Sequence, residues 1–194
     1  MKNPEISNLK SEILHQGRFI YKQVSFDYES IKHKKQKLTR LVFDRGNGTA
    51  ILLYNLEKQS VILISQFRLP ALLNHHPTGM LIEACAGTLE ETNPEDCIRR
   101  EAEEETGYRI GKVEKIMEVF MSPGAMTEKL FLFSASYEPD MKVSDGGGLE
   151  EEHEDIEVLE IPFHKAIEMM KKGEIEDAKS VLLLQHAQLH IFNQ

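Results

Sequence analysis

Three glutamates with helical spacing are the residues of this 194-residue sequence best suited to chemistry. Glu101, Glu104 and Glu105 stand at positions i, i+3 and i+4, so a helix would carry them on one face. Arg100, four residues before Glu104, can pair with it. Glu101 and Glu105 are then left without a neighbour of opposite charge. Because Mg²⁺ and Mn²⁺ prefer hard, negatively charged oxygen ligands, this face predicts a divalent metal site, with a solvated acidic face as the alternative.

The helix that must position these glutamates has signals at both ends. Asn93 can cap it, Pro94 fits its first turn, and Gly107 can end it. Ile98 and Ala102 form an apolar strip beside the glutamates. The helix can therefore bury one side and offer carboxylates on the next.

A glycine turn precedes this helix, at Ala86-Gly87. Because glycine lets the backbone approach a ligand closely, a free carbonyl at this turn could join a metal shell. Later in the chain, Gly146–Gly148 precedes an acidic run, and we interpret this segment as a mobile gate that carries acidic ligands toward a substrate, with a solvated charged loop as the alternative.

The rest of the sequence mixes strands and helices. Apolar residues at even spacing or in short runs predict strands over residues 20–28, 37–43, 49–56, 61–67, 80–86, 112–120, 130–137 and 156–161. Pro162 and Asp177 each open a predicted helix. This pattern indicates the α/β class, with mixed sheets packed between helices. We expect a strand-rich N-terminal region over residues 1–45, suited to dimer contacts, and a main domain over residues 46–194.

The composition argues against several classes of protein. A formal net charge of -9 argues against nucleic acid as a partner, since such a surface should be basic. The apolar runs are far shorter than the roughly 20 residues of a membrane span, and the polar N-terminus lacks the apolar stretch of a signal peptide. We therefore expect a cytoplasmic protein with no membrane contact. Cys85 and Cys97 lack a metal-binding spacing and predict reduced thiols.

The segment from Gly87 to Tyr108 resembles the signature of the Nudix hydrolases, G-x5-E-x7-R-E-U-x-E-E-x-G-U, in which U is a bulky apolar residue. The half that begins at Arg100 fits the pattern. The first half is one residue shorter than the pattern, and Thr92 or Asn93 stands at the place of its first glutamate. The resemblance therefore rests on the half that carries the metal helix.

The resemblance extends over nearly the whole chain. The segments DRGNGTAILLYN, QFR, IEACAG, MSPG, MTE and EDIEVLE are similar to those of bacterial GDP-mannose pyrophosphatases, in the nucleoside-diphosphate-sugar branch of the family. The resemblance implies a Nudix α/β/α sandwich of mixed sheets, and a homodimer that exchanges its strand-rich N-terminal region.

The same resemblance implies hydrolysis of the pyrophosphate bond of a nucleoside diphosphate sugar, with GDP-mannose giving GMP and mannose 1-phosphate. One alternative is an ADP-ribose pyrophosphatase that releases AMP and ribose 5-phosphate. Another is a non-catalytic Nudix module that senses nucleotides. Glu101, Glu104 and Glu105 are all present and no basic DNA-binding extension is visible in the sequence, which favours the enzyme.

The resemblance also implies roles for individual residues. The cofactor would be Mg²⁺, for which Mn²⁺ can substitute, and its ligands would be the carbonyl of Ala86 and the carboxylates of Glu101, Glu105 and Glu154. Glu151 and Glu152 are the alternatives to Glu154 in the acidic loop. Substrate would contact Arg18, Arg40, Arg68, Gly87, Glu128 and Lys179. The catalytic residues would be Glu105, Glu128 and Glu154, with Glu128 near the attacked phosphate.

Overall fold

The computed structural model describes residues 3–90, 93–149, 151 and 154–193. The chain divides into two compact units. The first comprises Met1–Asn47 with Phe120–Lys129, and the second comprises Gly48–Val119 with Leu130–Gln194. The predicted N-terminal region over residues 1–45 thus lies in the first unit, which also takes in a later segment of the chain.

The first unit is built on an antiparallel sheet in the order β1 (Glu5–Gln16), β2 (Ile20–Glu29) and β3 (Lys35–Asp44). The strand predicted from Ile20 onward is confirmed. β1 was not predicted, because its many polar residues interrupt the alternation of apolar and polar side chains that indicates a strand. Phe43 links this sheet to the later segment of the unit. Its N–H donates to the Ala125 carbonyl at 2.8 Å, and its carbonyl accepts from the Thr127 N–H at 3.1 Å.

The second unit contains a mixed sheet, as the sequence predicts. Its strands are β4 (Gly48–Asn55), β5 (Ser60–Phe67), β6 (Met80–Glu83), β7 (Cys85–Thr88), β8 (Glu114–Phe120), β9 (Lys129–Ser136) and β10 (Ile156–Pro162). The order is β10-β5-β4-β9-β8, with β6 paired to β5 and β7 paired to β4. The β4–β9 pair is parallel, whereas β5 is antiparallel to β4, β6 and β10.

The prediction of one continuous strand over residues 80–86 is wrong. β4 and β5 pair with each other only near their hairpin, from Leu53↔Ile62 to Asn55↔Ser60. Beyond that point the two strands diverge. The segment over residues 80–88 therefore pairs first with β5, as β6, and then with β4, as β7. The change of partner falls at Ala84, between Glu83 and Cys85. This opening in the sheet places β7 beside the helix that carries the glutamates.

Helices cover both faces of this sheet. They are α1 (Leu69–Leu73), α2 (Pro94–Thr106), α3 (Phe163–Lys172) and α4 (Ala178–His190), with a 3₁₀ turn at Pro139–Met141. Ile51 and Leu53 of β4 pack in the same core as Ile98 of α2. Leu52 lies between them in the strand and is fully buried, so it faces the opposite side, where α4 contacts β4. This α/β/α layering confirms the expected fold class.

The ends of α2 follow from local sequence, as predicted. The Asn93 side chain accepts a hydrogen bond from the Glu95 N–H at 3.0 Å, and Gly107 ends the helix at φ 79°. Ile98 and Ala102 are fully buried, so the predicted apolar strip is confirmed. α1 was not predicted, because it is a single turn after Arg68. Among the described residues, no helix is long and apolar enough to cross a membrane.

Candidate active site

Glu101 of α2 lies directly against the backbone of β7. A Cβ atom built on Gly87 would lie 2.0 Å from Cδ of Glu101 and 2.2 Å from its Oε1. No real Cβ could occupy that position, so the carboxylate reaches this strand only because residue 87 lacks a side chain. Gly87 thus gives the Glu101 side chain close access to the backbone, and its expected approach to a ligand stays a prediction.

Glu105 is held by the same strand. It is only 2% exposed, and its Oε2 accepts a hydrogen bond from the Ala86 N–H at 3.0 Å. The thiol of Cys85 is a second polar neighbour of this carboxylate. Residues 85–87 thus position both predicted metal-binding carboxylates at the point where β7 begins.

Arg100 contacts two carboxylates instead of one. Its Nη1 donates to Glu104 at 2.7 Å, which confirms the predicted pair, and its Nη2 donates to Oε1 of Glu101 at 2.9 Å. The prediction that Glu101 has no neighbour of opposite charge is therefore wrong, because the planar guanidinium reaches two side chains at once. Glu105 forms no ion pair with any residue that the structure describes.

Burial disfavours the ionised form of both carboxylates. Desolvation raises the pKa of Glu101 to about 7, although the charge of Arg100 opposes the shift and the charge of Glu104 adds to it. Desolvation likewise raises the pKa of Glu105 to about 7, against the hydrogen bonds from Cys85 and Ala86. The charge of Glu154 contributes to both increases. The three carboxylates are therefore coupled electrostatically.

Glu154 is brought to this position by the glycine-rich segment. The Gly147 N–H donates to the Glu105 carbonyl at 2.9 Å, and the Gly148 N–H donates to the Glu104 carbonyl at 3.2 Å, so the segment caps the end of α2. The Leu149 N–H donates to Oε2 of Glu154 at 3.2 Å. These contacts place the loop at the helix end, and its movement as a gate stays a prediction.

The alternative acidic ligands are placed differently. Glu151 is exposed, and Glu152 lies outside the described residues. Glu154 is half-buried, and a Cβ atom on Gly148 would lie 2.5 Å from its Oε2. Glu154 therefore remains our choice for the acidic-loop ligand.

The donor set fits a hard divalent cation. In the described ranges, no three carboxylate, imidazole or thiol groups converge closely enough to enclose an ion by themselves. A bound cation would stabilise the ionised forms of Glu101 and Glu105, which burial disfavours, and the backbone oxygens of residues 86–87 lie beside them on β7. Oxygen ligands with one backbone member are the kind that Mg²⁺ accepts.

Arg68 and Lys179, which were predicted to bind substrate, share one acidic partner. Arg68 donates to Glu83 through Nε at 2.7 Å and through Nη2 at 3.1 Å. Lys179 also donates to Oε2 of Glu83, the oxygen that accepts from Nη2 of Arg68. Sequence reasoning did not single out Glu83, although an acid within the apolar stretch Leu81–Cys85 was a signal for it.

The remaining predicted residues belong to the first unit. Arg18 is exposed in the turn between β1 and β2, and its guanidinium lies 5.7 Å from the ring centre of Phe19. Arg40 is exposed on β3. Glu128 is only 6% exposed, and Nη1 of Arg45 lies 3.2 Å from its Oε1. Their predicted contacts with substrate stay predictions.

The raised pKa values predict how stability depends on pH in the absence of metal. In the unfolded chain a glutamate has a pKa near 4.5, so folding favours the protonated forms of Glu101 and Glu105. Their stabilising contribution is complete below that value and is lost as the pH rises through about 7. In EDTA we expect the melting temperature to fall between about pH 5 and about pH 8, and saturating Mg²⁺ should reduce the fall because it binds the ionised forms.

The double variant Glu101→Gln/Glu105→Gln provides the control, measured by differential scanning calorimetry in the same buffers. Because neither amide ionises, the variant should lose this part of the pH dependence. Wild-type and variant curves that run parallel in EDTA would show that these carboxylates do not titrate in that range.

Comparison with known proteins agrees with this geometry. A family model described as NUDIX domain matches residues 44–185. The chain is 47% identical over 188 residues to a GDP-mannose pyrophosphatase of Yersinia pestis (strain Pestoides F), covering 97% of this chain and 94% of that protein. It is 50% identical over 186 residues to a GDP-mannose pyrophosphatase of Cronobacter sakazakii (strain ATCC BAA-894), covering 93% and 94%.

A solved structure gives independent support for the fold. It is described as the crystal structure of an ADP compounds hydrolase, with a TM-score of 0.75 over 100% of this chain and 97% of that chain, at 17% sequence identity. At that identity the likeness concerns the fold alone. Together with the family model and the curated relatives, it confirms the resemblance seen in the sequence, and this chain belongs to the NUDIX domain family.

Proposed function

We propose that this chain hydrolyses the pyrophosphate bond of a nucleoside diphosphate sugar in a Mg²⁺-dependent reaction, with GDP-mannose giving GMP and mannose 1-phosphate. The observation that carries the chemistry is the pair of carboxylates of the half-buried Glu101 and the buried Glu105, held against residues 85–87. The likeness to proteins named GDP-mannose pyrophosphatase over nearly the whole chain supports the choice of substrate.

The metal ligands in this proposal are the Ala86 carbonyl, Glu101, Glu105 and Glu154. Mg²⁺ bound there would supply positive charge that neutralises the diphosphate and polarises its P–O bonds. Arg68 and Lys179 would bind phosphate oxygens, since phosphoryl transfer depends mainly on positioning and electrostatics.

A general base completes the proposed mechanism. Glu128, or Glu154 from the acidic loop, would accept the proton of the attacking water, a contribution typically of about 10²–10⁴-fold. Glu128 is 6% exposed, and its Oε1 lies 3.2 Å from Nη1 of Arg45. Arg18 and Arg40 are proposed to contact the nucleotide.

A panel of substrates tests the proposal directly. Purified protein with Mg²⁺ should release monophosphate from GDP-mannose faster than from ADP-ribose or from other nucleotide sugars, as measured by chromatography of the products. Turnover of ADP-ribose alone would overturn the choice of GDP-mannose and favour an ADP-ribose pyrophosphatase. Release of no monophosphate from any compound would favour a non-catalytic nucleotide-sensing module.

We also propose that the chain forms a homodimer through the first unit. Along β1, the large apolar side chains Ile6, Leu9 and Ile13 are 56%, 64% and 55% exposed, although such residues are normally buried. A partner chain laid on this strand would remove them from water. Multi-angle light scattering should therefore give the mass of a dimer, and Leu9→Glu should give a monomer. A monomeric mass for the wild-type protein at micromolar concentration would overturn the proposal.

A further inference from the structure

Glu83 is the most buried acid of an ion-pair cluster in the second unit. Its side chain is 4% exposed and lies at the end of β6. Burial alone would raise the pKa of this carboxyl, but the hydrogen bond from Arg68 and the charge of Lys179 outweigh burial, so its pKa lies below the usual value. Glu83 is therefore a charged group in the protein interior that depends on two cations.

The pairing leaves part of each cation unused. Arg68 turns its Nε and Nη2 toward Glu83, so Nη1 takes no part in the pair, and 39% of the side chain is exposed. Lys179 donates to Glu83 and lies 3.0 Å from Oδ1 of Asp177, so two of the three ammonium hydrogens are directed to carboxylates. Nη1 of Arg68 and the third ammonium hydrogen of Lys179 are thus not directed to these carboxylates, and 11% of the Lys179 side chain is exposed.

Hydrogen bonds to backbone groups connect the cluster to both α4 and the end of β6. Asp177 caps α4, where its Oδ2 accepts from the Ser180 N–H at 3.0 Å. The Ser180 hydroxyl in turn accepts from the Ala84 N–H at 2.6 Å, which ties the start of α4 to the residue after Glu83. Ala86, whose N–H binds Glu105, follows two residues later. The cations and the metal-binding carboxylates are therefore positioned by the same short stretch, residues 83–86.

We propose that Glu83 is a positioning residue, whose single carboxylate holds Arg68 and Lys179 side by side so that their remaining donors bind a diphosphate together. Glu83 accepts hydrogen bonds from Arg68 and Lys179 and acts on the substrate through these two cations. This inference rests on the proposed function insofar as it takes a diphosphate as the ligand. A purely structural ion pair, which would stabilise the fold without affecting ligand affinity, is the competing interpretation.

The test is a double-mutant cycle on binding. Glu83→Gln keeps the size of the side chain but removes its charge and places an amide donor against the cations. Isothermal titration calorimetry with GDP in EDTA should show about tenfold weaker binding, the scale of one charge-assisted hydrogen bond. In the Arg68→Ala/Lys179→Ala background, Glu83→Gln should change GDP affinity by less than about twofold, because the groups through which it acts are gone.

A structural role would give a different pattern. Glu83→Gln would then lower the melting temperature but leave the affinity for GDP within about twofold of wild type, and this result would overturn the proposal. If Glu83→Gln is insoluble, Glu83→Asp replaces it in the cycle, since it keeps the charge but shortens its reach. Glu83→Asp is also expected to weaken GDP binding only when Arg68 and Lys179 are present. If it weakens GDP binding equally in the Arg68→Ala/Lys179→Ala background, the proposal is overturned.

Glu160→Gln is the matched control. Glu160 also accepts hydrogen bonds from a lysine and two hydroxyls, namely Lys58, Ser60 and Tyr137. It lies on β10, outside residues 83–86 and outside the cation cluster, and its replacement should leave GDP affinity unchanged. Because binding is measured without metal or turnover, the cycle is informative even if no nucleotide sugar is hydrolysed. A failure of the proposed function is thereby distinguished from a failure of this inference.

Discussion

Replacement of Glu105 by glutamine is expected to lower kcat by at least about 10²–10³-fold, the scale of one preorganised electrostatic contact at a reacting centre. Glutamine keeps the size of the side chain, and its carbonyl oxygen can still accept the hydrogen bond from the Ala86 N–H. What it removes is the negative charge in a site that is 2% exposed. The affinity for Mn²⁺, measured by electron paramagnetic resonance, should fall together with the turnover number.

The fold should survive this change. Because the folded state has to bury the charge of Glu105, its loss is expected to raise the melting temperature in EDTA at about pH 8. Glu103→Gln is the control, since Glu103 lies on the same helix but pairs with Arg109 at the surface. Turnover by Glu105→Gln within about threefold of wild type at saturating Mg²⁺ would refute the assignment of Glu105 as a metal ligand.

Alanine at position 87 is the second change with a large expected effect. The new Cβ would occupy the place of the Glu101 carboxylate, with contacts of 2.0 to 2.4 Å to its Cδ, Oε1 and Cγ. The carboxylate must therefore leave the strand, and we expect kcat to fall by about 10²-fold, since small displacements of positioned groups have effects of that size. The affinity for Mn²⁺ should decrease as well.

Gly111→Ala is the matched control for this substitution. A Cβ atom on Gly111 meets nothing within 4 Å. Gly111→Ala therefore measures the effect of replacing a glycine by alanine without a steric clash. Circular dichroism and melting temperature should be similar for both variants. If Gly87→Ala retains wild-type kcat and Mn²⁺ affinity, the close approach of Glu101 to β7 does not serve metal binding.

The sequence alone was sufficient for α2, because everything that defines this helix is local. Asn93 and Gly107 set the ends of α2 through their own backbone and side-chain preferences. Helical periodicity then places Glu101 and Glu105 on one face, whatever the rest of the chain does. The glycine at position 87 was also visible, although its consequence was expected for a ligand and was found for the Glu101 side chain.

The tertiary structure decided what depends on residues far apart in the chain. Glu83 meets Arg68 and Lys179 only in the folded chain, because β6 pairs with β5, which Arg68 follows, and because Ser180 ties the start of α4 to Ala84. Burial, which raises the pKa of Glu105, comes likewise from elements packed around it and not from its neighbours in sequence. Helix spacing and caps are short-range properties of the chain, whereas charge pairing and desolvation arise only when distant segments pack together.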